Sequence, residues 1–188
     1  FYPDEDVVIT ISHLGYIKRT PLNECRLQNR GGVGAKGSTT REEDFIEHIY
    51  VANMHSTMMF FTQKGRCFWL KVYDVPEGTK TSKGRAIQNV INIEPDDKVC
   101  AYLNVPTLND EEYINNNYIV LGTKRGTIKK TSLEAYSRPR ANGVNAITVR
   151  EGDELIEAML TNGNNEILIA GRDGKCVRFN EVDARAIG

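Results

Sequence analysis

The chain has 188 residues, a formal net charge of −1, an apolar share of 40% and a charged share of 26%. That length supports a sizeable hydrophobic core, and this composition is ordinary for a soluble globular protein. No stretch approaches the roughly 18 consecutive apolar residues of a membrane span, so a membrane partner is excluded. The missing N-terminal methionine and the abrupt end at Gly188 predict a piece of a longer chain.

Four times along the chain, an apolar strand leads into a glycine turn with basic residues beside it and then into a second strand. These segments are residues 7–20, 58–71, 118–131 and 166–179. Their turn glycines, spaced by 50, 61 and 48 residues, are Gly15, Gly65, Gly126 and Gly174. Repeats of this period in a chain of strands indicate propeller-like blades, each packed only against its neighbours. The predicted fold class is all-β.

The repeats divide the chain into approximate blades. Their predicted bounds are 6–54, 55–103, 116–163 and 164–188. The last blade is incomplete. Residues 104–117 are polar, acidic and rich in asparagine, and they lengthen the interval between the second and third turns. We predict a polar loop insertion at 104–117.

Each hairpin is followed by a polar segment that contains a glycine. We expect this segment to lead into a returning strand of the same blade, at residues 90–93 in the second repeat and 146–149 in the third. Those residues are apolar or β-branched at the positions that a strand would bury.

Charge is segregated along the chain although the total is close to zero. Residues 13–36 and 63–85 each carry a net charge of +4, and residues 118–150 carry +6. The compensating acids lie at 94–113 and 151–157. Basic residues that recur at one structural position predict a basic surface for nucleic acid. The alternative interpretation is that charges at strand ends only solubilise a β-surface.

The most distinctive segment is the glycine-rich stretch QNRGGVGAKG at 28–37. Three of its glycines match a dinucleotide-binding fingerprint, but no apolar strand precedes them and no helical pattern follows. A Walker phosphate loop is excluded because no glycine stands directly before Lys36. Arg30 and Lys36 in a loop of little bulk favour contact with a phosphate backbone. A connection that binds nothing stays open.

Patterns for catalysis or metal binding do not emerge from the sequence. The four cysteines include no CxxC pair, and two of them lie in apolar-flanked strands, so we expect reduced, buried thiols rather than disulfides. The three histidines have no ligand spacing, so we expect no zinc site. The successive acids at 42–44 point in different directions and are expected in a solvated turn. We therefore predict no catalytic residue, no metal site and no cofactor in this chain.

The segments QNRGGVGAKGSTTREEDF, LKVY and SKGR, in this order, resemble the C-terminal domain of the bacterial DNA gyrase A subunit over essentially the whole chain. Residues 28–34 fall where that family has its glycine-rich gyrase box. The resemblance implies a β-pinwheel of six four-stranded blades, of which about four are present here, the last in part. It also implies that the domain wraps duplex DNA around a basic outer rim and so enables ATP-dependent negative supercoiling.

The resemblance further implies a bacterial, cytoplasmic and nucleoid-associated enzyme. Its expected partners are duplex DNA, the gyrase A N-terminal region and the gyrase B subunit, in a heterotetramer of two A and two B chains. ATP and Mg²⁺ are expected in other regions of that assembly. Asn29 and Val33 replace usual basic residues of the box, which keeps the C-terminal domain of the topoisomerase IV A subunit open as an alternative. A propeller-like scaffold for protein interactions is the other alternative.

The predicted DNA contacts are the box residues together with the lysines and arginines of the hairpins and loops, which meet phosphates rather than bases. They are Gln28, Arg30, Gly31, Gly32, Gly34, Lys36, Lys18, Arg19, Lys64, Arg66, Lys71, Lys83, Arg85, Lys124, Arg125, Lys129, Lys130, Arg138, Arg140, Arg172, Lys175 and Arg178. Because side chains alternate along a strand, about half of these are expected to face DNA.

Overall fold

Strands dominate the computed structural model, which describes residues 1–23, 43–163, 166–170 and 176–181; from 166 onward, Glu181 is the one residue whose side chain it describes. In chain order the strands are β1 (Asp6–Ser12), β2 (Tyr16–Pro21), β3 (Ile46–Asn53), β4 (Thr57–Thr62), β5 (Arg66–Lys71), β6 (Arg85–Ala86), β7 (Val99–Val105), β8 (Tyr118–Thr123), β9 (Ile128–Ser132), β10 (Val144–Asn145), β11 (Leu155–Thr161), β12 (Glu166–Ala170) and β13 (Cys176–Asn180). A short helix, α1, spans Glu111–Asn116, and 3-10 turns span Val72–Asp74, Ile87–Asn89 and Leu133–Tyr136. Over the described ranges, no helix is long and apolar enough to cross a membrane.

The described chain forms two compact units, of which unit one comprises Phe1–Ser56 and Leu70–Ile91. Its four-stranded sheet has the order β3-β1-β2-β6, with every neighbouring pair antiparallel. Val8, Ile9 and Ile11 of β1 are fully buried, as expected for a continuously apolar strand covered on both faces.

Unit two comprises Thr57–Trp69 and Asn92–Gly188. Its described strands form sheets of order β10-β5-β4-β7, β11-β8-β9 and β12-β13. The core of this unit includes Phe61, Leu121 and Leu133, none of which is exposed to solvent. Burying each such side chain contributes about 1.5–3 kcal/mol, so these apolar strands stabilise the sheets that carry the basic loops.

The segments after the hairpins pair differently from the prediction. The returning strands expected at 90–93 and 146–149 are wrong, because neither range forms a strand. Instead the two-residue strand β6 pairs with β2, and β10 pairs with β5, so each joins the hairpin of the preceding repeat. The period of the sequence does not carry this information, since two residues give no hydrophobic pattern.

The polar insertion contains structure at its centre. Within the segment 104–117, the short helix α1 forms between Glu111 and Asn116. The Asp110 carboxylate accepts a hydrogen bond from the Tyr113 amide and caps the N-terminus, while the side-chain amides of the three residues at 115–117 each donate to the carbonyl four residues earlier. Buried Ile114 anchors the helix in the core of unit two. The asparagine run that suggested a loop therefore satisfies the free carbonyls of a short helix.

Cys67 and Cys100 are free thiols, whereas Cys25 and the side chain of Cys176 lie outside the described structure. Burial raises the pKa of Cys67 well above its usual value and raises that of Cys100 to about 12. Both sulfurs are therefore protonated at neutral pH, and neither is an activated nucleophile.

Candidate nucleic-acid interface

Three hairpin turns share one construction. Gly15, Gly65 and Gly126 have φ values of 91°, 91° and 95°, the left-handed region that the glycine pattern predicted. A hydroxyl at the start of each turn accepts a hydrogen bond from the amide four residues later. The donor and acceptor pairs are Tyr16 to Ser12 at 3.0 Å, Arg66 to Thr62 at 3.0 Å and Thr127 to Thr123 at 3.1 Å. Gly174, the fourth turn glycine, lies outside the described residues.

An aspartate two residues before the outer strand holds each of these turns. Asp44 Oδ1 accepts from the Leu14 amide at 2.8 Å, Asp97 Oδ1 from that of Lys64 at 3.1 Å, and Asp153 Oδ1 from that of Arg125 at 2.9 Å. Asp44 is therefore a turn-fixing residue, which corrects the expectation of a merely solvated acid. The sequence signal was available, because the same spacing precedes β3, β7 and β11.

The carboxylates of Asp44 and Asp153 are stabilised in their charged form. Partial burial opposes ionisation in both, but hydrogen bonds outweigh it and lower the pKa. For Asp44 these come from the Ser12 hydroxyl and the amides of Leu14 and Phe45. For Asp153 they come from the Thr123 hydroxyl and the Arg125 and Glu154 amides. The turns held by Asp44 and Asp153 are therefore fixed by ionised groups at neutral pH.

The tips of two turns in unit two present basic side chains. Lys124 and Arg125 are exposed at the turn between β8 and β9. Lys64, at the turn between β4 and β5, is exposed but forms an ion pair with Asp96. The hydrogen bond to Asp96 raises the pKa of Lys64, and an approaching phosphate would have to compete with that carboxylate.

In unit one, residues 79–85 form a basic loop, here called loop one, that closes on Lys18. The Lys18 side chain is only 7% exposed, and its Nζ donates to the carbonyls of Thr79 at 2.8 Å and Ser82 at 2.7 Å, with that of Lys80 at 3.3 Å. Lys18 is thus removed from the predicted set of direct DNA contacts, because its ammonium is buried and donates its hydrogen bonds to carbonyls of loop one.

Loop one presents three cations of its own. Lys83 and Arg85 were predicted contacts, and Lys80 was missed although it lies in the basic segment 63–85; all three side chains are exposed. Lys83 Nζ lies 4.5 Å from the centroid of the Tyr16 ring, a cation–π contact that orients the ammonium without neutralising it. The three charges of loop one are available to phosphates.

Two other basic residues of unit one make contacts within the fold. Arg19 is half-buried, and its Nη2 donates to the Tyr73 carbonyl at 3.4 Å. Lys71 is also half-buried, with Nζ 3.2 Å from the His55 carbonyl oxygen. Both side chains are therefore weaker candidates for DNA contact than those of loop one.

In unit two, residues 137–143 form the corresponding loop, here called loop two. Gly143 has a φ of 72°, and a Cβ there would lie 2.8 Å from the Cys67 carbonyl oxygen, so only glycine lets β10 pair with β5. Arg66 Nη2 donates to the Asn142 carbonyl at 2.6 Å. Arg138 is 70% exposed and forms an ion pair with Glu134 at 2.8 Å, so a phosphate would have to compete with that carboxylate, whereas Arg140 is exposed. Loop two therefore presents two guanidinium groups.

Strand β9 holds two lysines with structural contacts. Lys130 is 7% exposed, lies 3.4 Å from Glu181 Oε2, and stacks over the Tyr118 ring at 4.5 Å. Lys129 is half-buried and donates to the Ala146 carbonyl at 2.9 Å. Lys130 is thus a second predicted contact that the fold withdraws, because a buried charge requires its partners inside the protein.

The remaining predicted contacts fall outside the described part of the chain. Gln28, Arg30, Gly31, Gly32, Gly34, Lys36, Arg172 and Lys175 lie outside the described residues, as does the side chain of Arg178. Among the groups that are described, no cluster of histidine, cysteine and acidic residues could hold a metal ion. Each unit therefore presents exposed cations on turns or loops with fixed backbones, and such cations suit the binding of polyanions.

A family model described as the DNA gyrase C-terminal domain, beta-propeller, matches residues 6–53, 56–100, 117–162 and 165–188. The chain belongs to the DNA gyrase C-terminal domain family. The predicted all-β, propeller-type fold and the predicted family are thereby confirmed. Most of the insertion with α1 lies outside the matched residues.

Curated relatives support the membership in this gyrase family. The chain is 44% identical over 180 residues to the DNA gyrase A subunit of Aeromonas salmonicida, covering 96% of this chain and 19% of that protein. It is 41% identical to the DNA gyrase A subunit of Halalkalibacterium halodurans over 186 residues, covering 99% of this chain and 22% of that protein. The chain thus spans about a fifth of the length of these relatives.

Solved structures agree on the fold. The C-terminal domain of DNA topoisomerase IV superposes with a TM-score of 0.77 at 25% identity, covering all of this chain and 55% of that one. A DNA gyrase A C-terminal domain superposes with a TM-score of 0.67 at 18% identity, covering 97% of this chain and 57% of that one.

Proposed function

We propose that this domain binds duplex DNA through its phosphates and wraps it, as part of a bacterial DNA gyrase that introduces negative supercoils with ATP. The observation that carries the proposal is the placement of exposed cations on loops whose backbones are fixed. These cations are Lys80, Lys83, Arg85, Lys124, Arg125, Arg138 and Arg140. Membership in the DNA gyrase C-terminal domain family supports DNA as the ligand of these cations.

The chemistry of these side chains favours phosphate contacts that tolerate any sequence. Lysine and arginine neutralise backbone phosphates and release condensed counterions, which gives affinity without base readout. Bending a duplex costs several kcal/mol over a short site, and contacts distributed along the path offset that cost. Cations recurring on successive repeats match this requirement better than one concentrated patch.

The other parts of the proposal concern the whole enzyme. The Arg30 and Lys36 charges of the gyrase box join the DNA surface, and the partners are the gyrase A N-terminal region and gyrase B in a heterotetramer. ATP and Mg²⁺ act in those other regions. The complex works in the cytoplasm on the nucleoid, and this domain contributes DNA geometry rather than a catalytic group.

A second candidate is the topoisomerase IV A chain, where the domain would bind DNA and select substrates. The similarity to the C-terminal domain of a topoisomerase IV favours it. The two functions differ in their product, because gyrase introduces negative supercoils into relaxed circles and topoisomerase IV does not. A protein-interaction scaffold differs from both, since it would not need DNA.

The test uses the full-length gyrase A chain with its gyrase B partner. The affinity for linear duplex DNA is measured from 50 to 200 mM salt, and the reconstituted enzyme is assayed on relaxed circles. We expect affinity to fall by about 10³-fold or more over that range, as for six or more phosphate contacts, and negative supercoils to appear with ATP. Affinity that is negligible even at 50 mM salt contradicts DNA binding. Decatenation without supercoiling would identify the topoisomerase IV alternative.

A further inference from the structure

Lys18 is a buried cation whose donors are used inside the protein. It lies on β2, 7% exposed, and points its Nζ at the carbonyls of Thr79, Lys80 and Ser82. An ammonium has three N–H donors, so it can donate to several carbonyls of one loop at the same time. Hydrogen bonds from charged donors contribute more than neutral ones, which makes this the strongest described anchor of loop one.

Loop one is shaped around the lysine by glycines on both sides. A Cβ on Gly78 would lie 2.6 Å from Ser82 Oγ and 3.2 Å from Lys18 Cδ. A Cβ on Gly84, where φ is 90°, would lie 2.5 Å from the Ile17 carbonyl oxygen and 3.1 Å from Lys18 Cβ. The chain therefore approaches β2 closely at both ends of the loop, and the lysine fills the space between.

Inward carbonyls have an electrostatic consequence for the outer surface. A carbonyl oxygen carries partial negative charge and repels a phosphate, so turning three of them onto Lys18 removes that repulsion from the loop exterior. Lys80, Lys83 and Arg85 remain exposed on the same loop. The arrangement separates an internal cation, which holds the backbone, from external cations, which remain free for an anion.

We propose that Lys18 is a positioning residue for DNA binding, which fixes loop one so that Lys80, Lys83 and Arg85 meet the phosphates together. The proposal rests on the proposed function, because it assigns the residue a role in the same interface. Lys18 itself does not touch DNA. Its removal would release the carbonyls, disperse the three outer cations and reduce the number of phosphates neutralised.

A matched control is available in the other unit. Lys130 is equally buried at 7% exposure, but it pairs with Glu181 and Tyr118 and donates to no carbonyl of a basic loop in any described contact. Replacing either lysine by methionine keeps an unbranched side chain, one atom shorter, and removes the charge. Both changes leave acceptors without their cation, so a general loss of stability would affect both.

The first measurement needs no DNA. Trypsin cleavage after Lys80, Lys83 and Arg85 is followed by mass spectrometry in the folded, full-length protein. We expect Lys18→Met to speed cleavage in loop one at least tenfold and Lys130→Met to leave it within twofold of wild type. Cleavage after Arg140, in loop two, is the internal control for global unfolding. The variant Lys18→Arg keeps a donor charge and should restore most of the resistance.

The second measurement is the salt dependence of DNA affinity in the same proteins. We expect Lys18→Met to reduce the slope of log Kd against log salt by about 2, as for the loss of two phosphate contacts, with no change in Lys130→Met. In a background where Lys80, Lys83 and Arg85 are all methionine, Lys18→Met should reduce the slope no further, because its effect passes through those residues.

The outcomes separate this inference from the proposed function. Unchanged cleavage in loop one overturns the positioning role, and so does faster cleavage with an unchanged slope. A further reduction in the triple-methionine background shows a direct phosphate contact and also overturns it. If the wild-type protein has no salt-dependent affinity for DNA, the proposed function fails and the DNA role fails with it, while the cleavage result still shows whether Lys18 holds the loop.

Discussion

Loop one and loop two meet the same backbone requirement with different anchors. Each has a glycine of positive φ, Gly84 or Gly143, directly before the two-residue strand that pairs with the preceding hairpin. In loop one the anchoring cation is buried and donates to three carbonyls, whereas in loop two the anchoring cation, Arg66, is half-buried and donates to one. In both loops the backbone passes close to a strand and needs a glycine there. Of the two, only loop one also depends on a buried charge.

The largest effect is expected where both loops depend on glycine. Gly84→Ala and Gly143→Ala place a Cβ against a backbone carbonyl, so each should lower the local free energy of opening by about 3 kcal/mol. Gly126→Ala is the matched control, because it has a similar φ of 95° but open space, and should cost only about 1–2 kcal/mol. Hydrogen exchange in the full-length protein measures this. Equal losses of opening free energy at all three sites would mean that the cost comes from backbone strain rather than from contact between the new Cβ and a carbonyl oxygen.

Arg66→Met tests the weaker anchor of loop two. It removes one charge-assisted hydrogen bond that is open to solvent, so hydrogen-exchange protection at residues 140–143 should fall by about 1 kcal/mol, or fivefold. The corresponding loss in loop one after Lys18→Met should be larger. A fall in protection in loop two as large as that in loop one would remove the distinction between a buried and a half-buried anchor.

The pH dependence of the turns should be the next largest effect. The pKa of Asp153 is lowered in the folded state, so its contribution is present above its unfolded pKa, near 4, and is lost as pH falls through the folded value. Asp153→Asn should therefore destabilise the turn of Arg125 by about 1 kcal/mol at pH 7 and by much less near pH 2.

The turn's opening free energy at several pH values, in wild type and in Asp153→Asn, measures this difference. Thr127→Ser, which retains a hydroxyl at an exposed position of the same turn, is a suitable control because its effect on the opening free energy should not depend on pH. A wild-type advantage that persists unchanged at pH 2 would contradict the assignment of the turn to an ionised Asp153.

The smallest effect is expected at an exposed ion pair. Asp96→Asn removes the carboxylate that pairs with Lys64, so it should leave stability unchanged and raise DNA affinity by about twofold at 50 mM salt. Lys64→Met in the same background should abolish that gain. If Asp96→Asn instead weakens DNA binding, the Asp96 carboxylate positions Lys64 for DNA. It would then not compete with a phosphate for that lysine.

The sequence predicted the features that depend on short, strong local preferences. Turn glycines such as Gly65 require positive φ, and continuous apolar runs such as that in β4 are buried at every residue. The fixing aspartates could also have been found, because Asp44, Asp97 and Asp153 keep one spacing from the following outer strand. These features recur with the repeat, and recurrence makes them recognisable without a structure.

Pairing and exposure were not predictable in the same way. β6 and β10 are two residues long, and nothing in their composition says that they join the preceding hairpin. Lys18 and Lys83 look equivalent in the sequence, yet one is buried among carbonyls and the other is exposed above Tyr16. Whether a lysine is buried or exposed depends on where the loop carbonyls point. Their direction is set only when segments distant in sequence pack together.

The most direct test of DNA wrapping is the topology of DNA bound by the full-length protein. Nicked circles are ligated in its presence, and the linking number is measured after the protein is removed. We predict a shift of one sign that grows with protein concentration and is greatly reduced when the exposed cations of both loops are changed to methionine. An unchanged linking number, at a concentration where the wild-type protein saturates the DNA, would contradict wrapping by this domain.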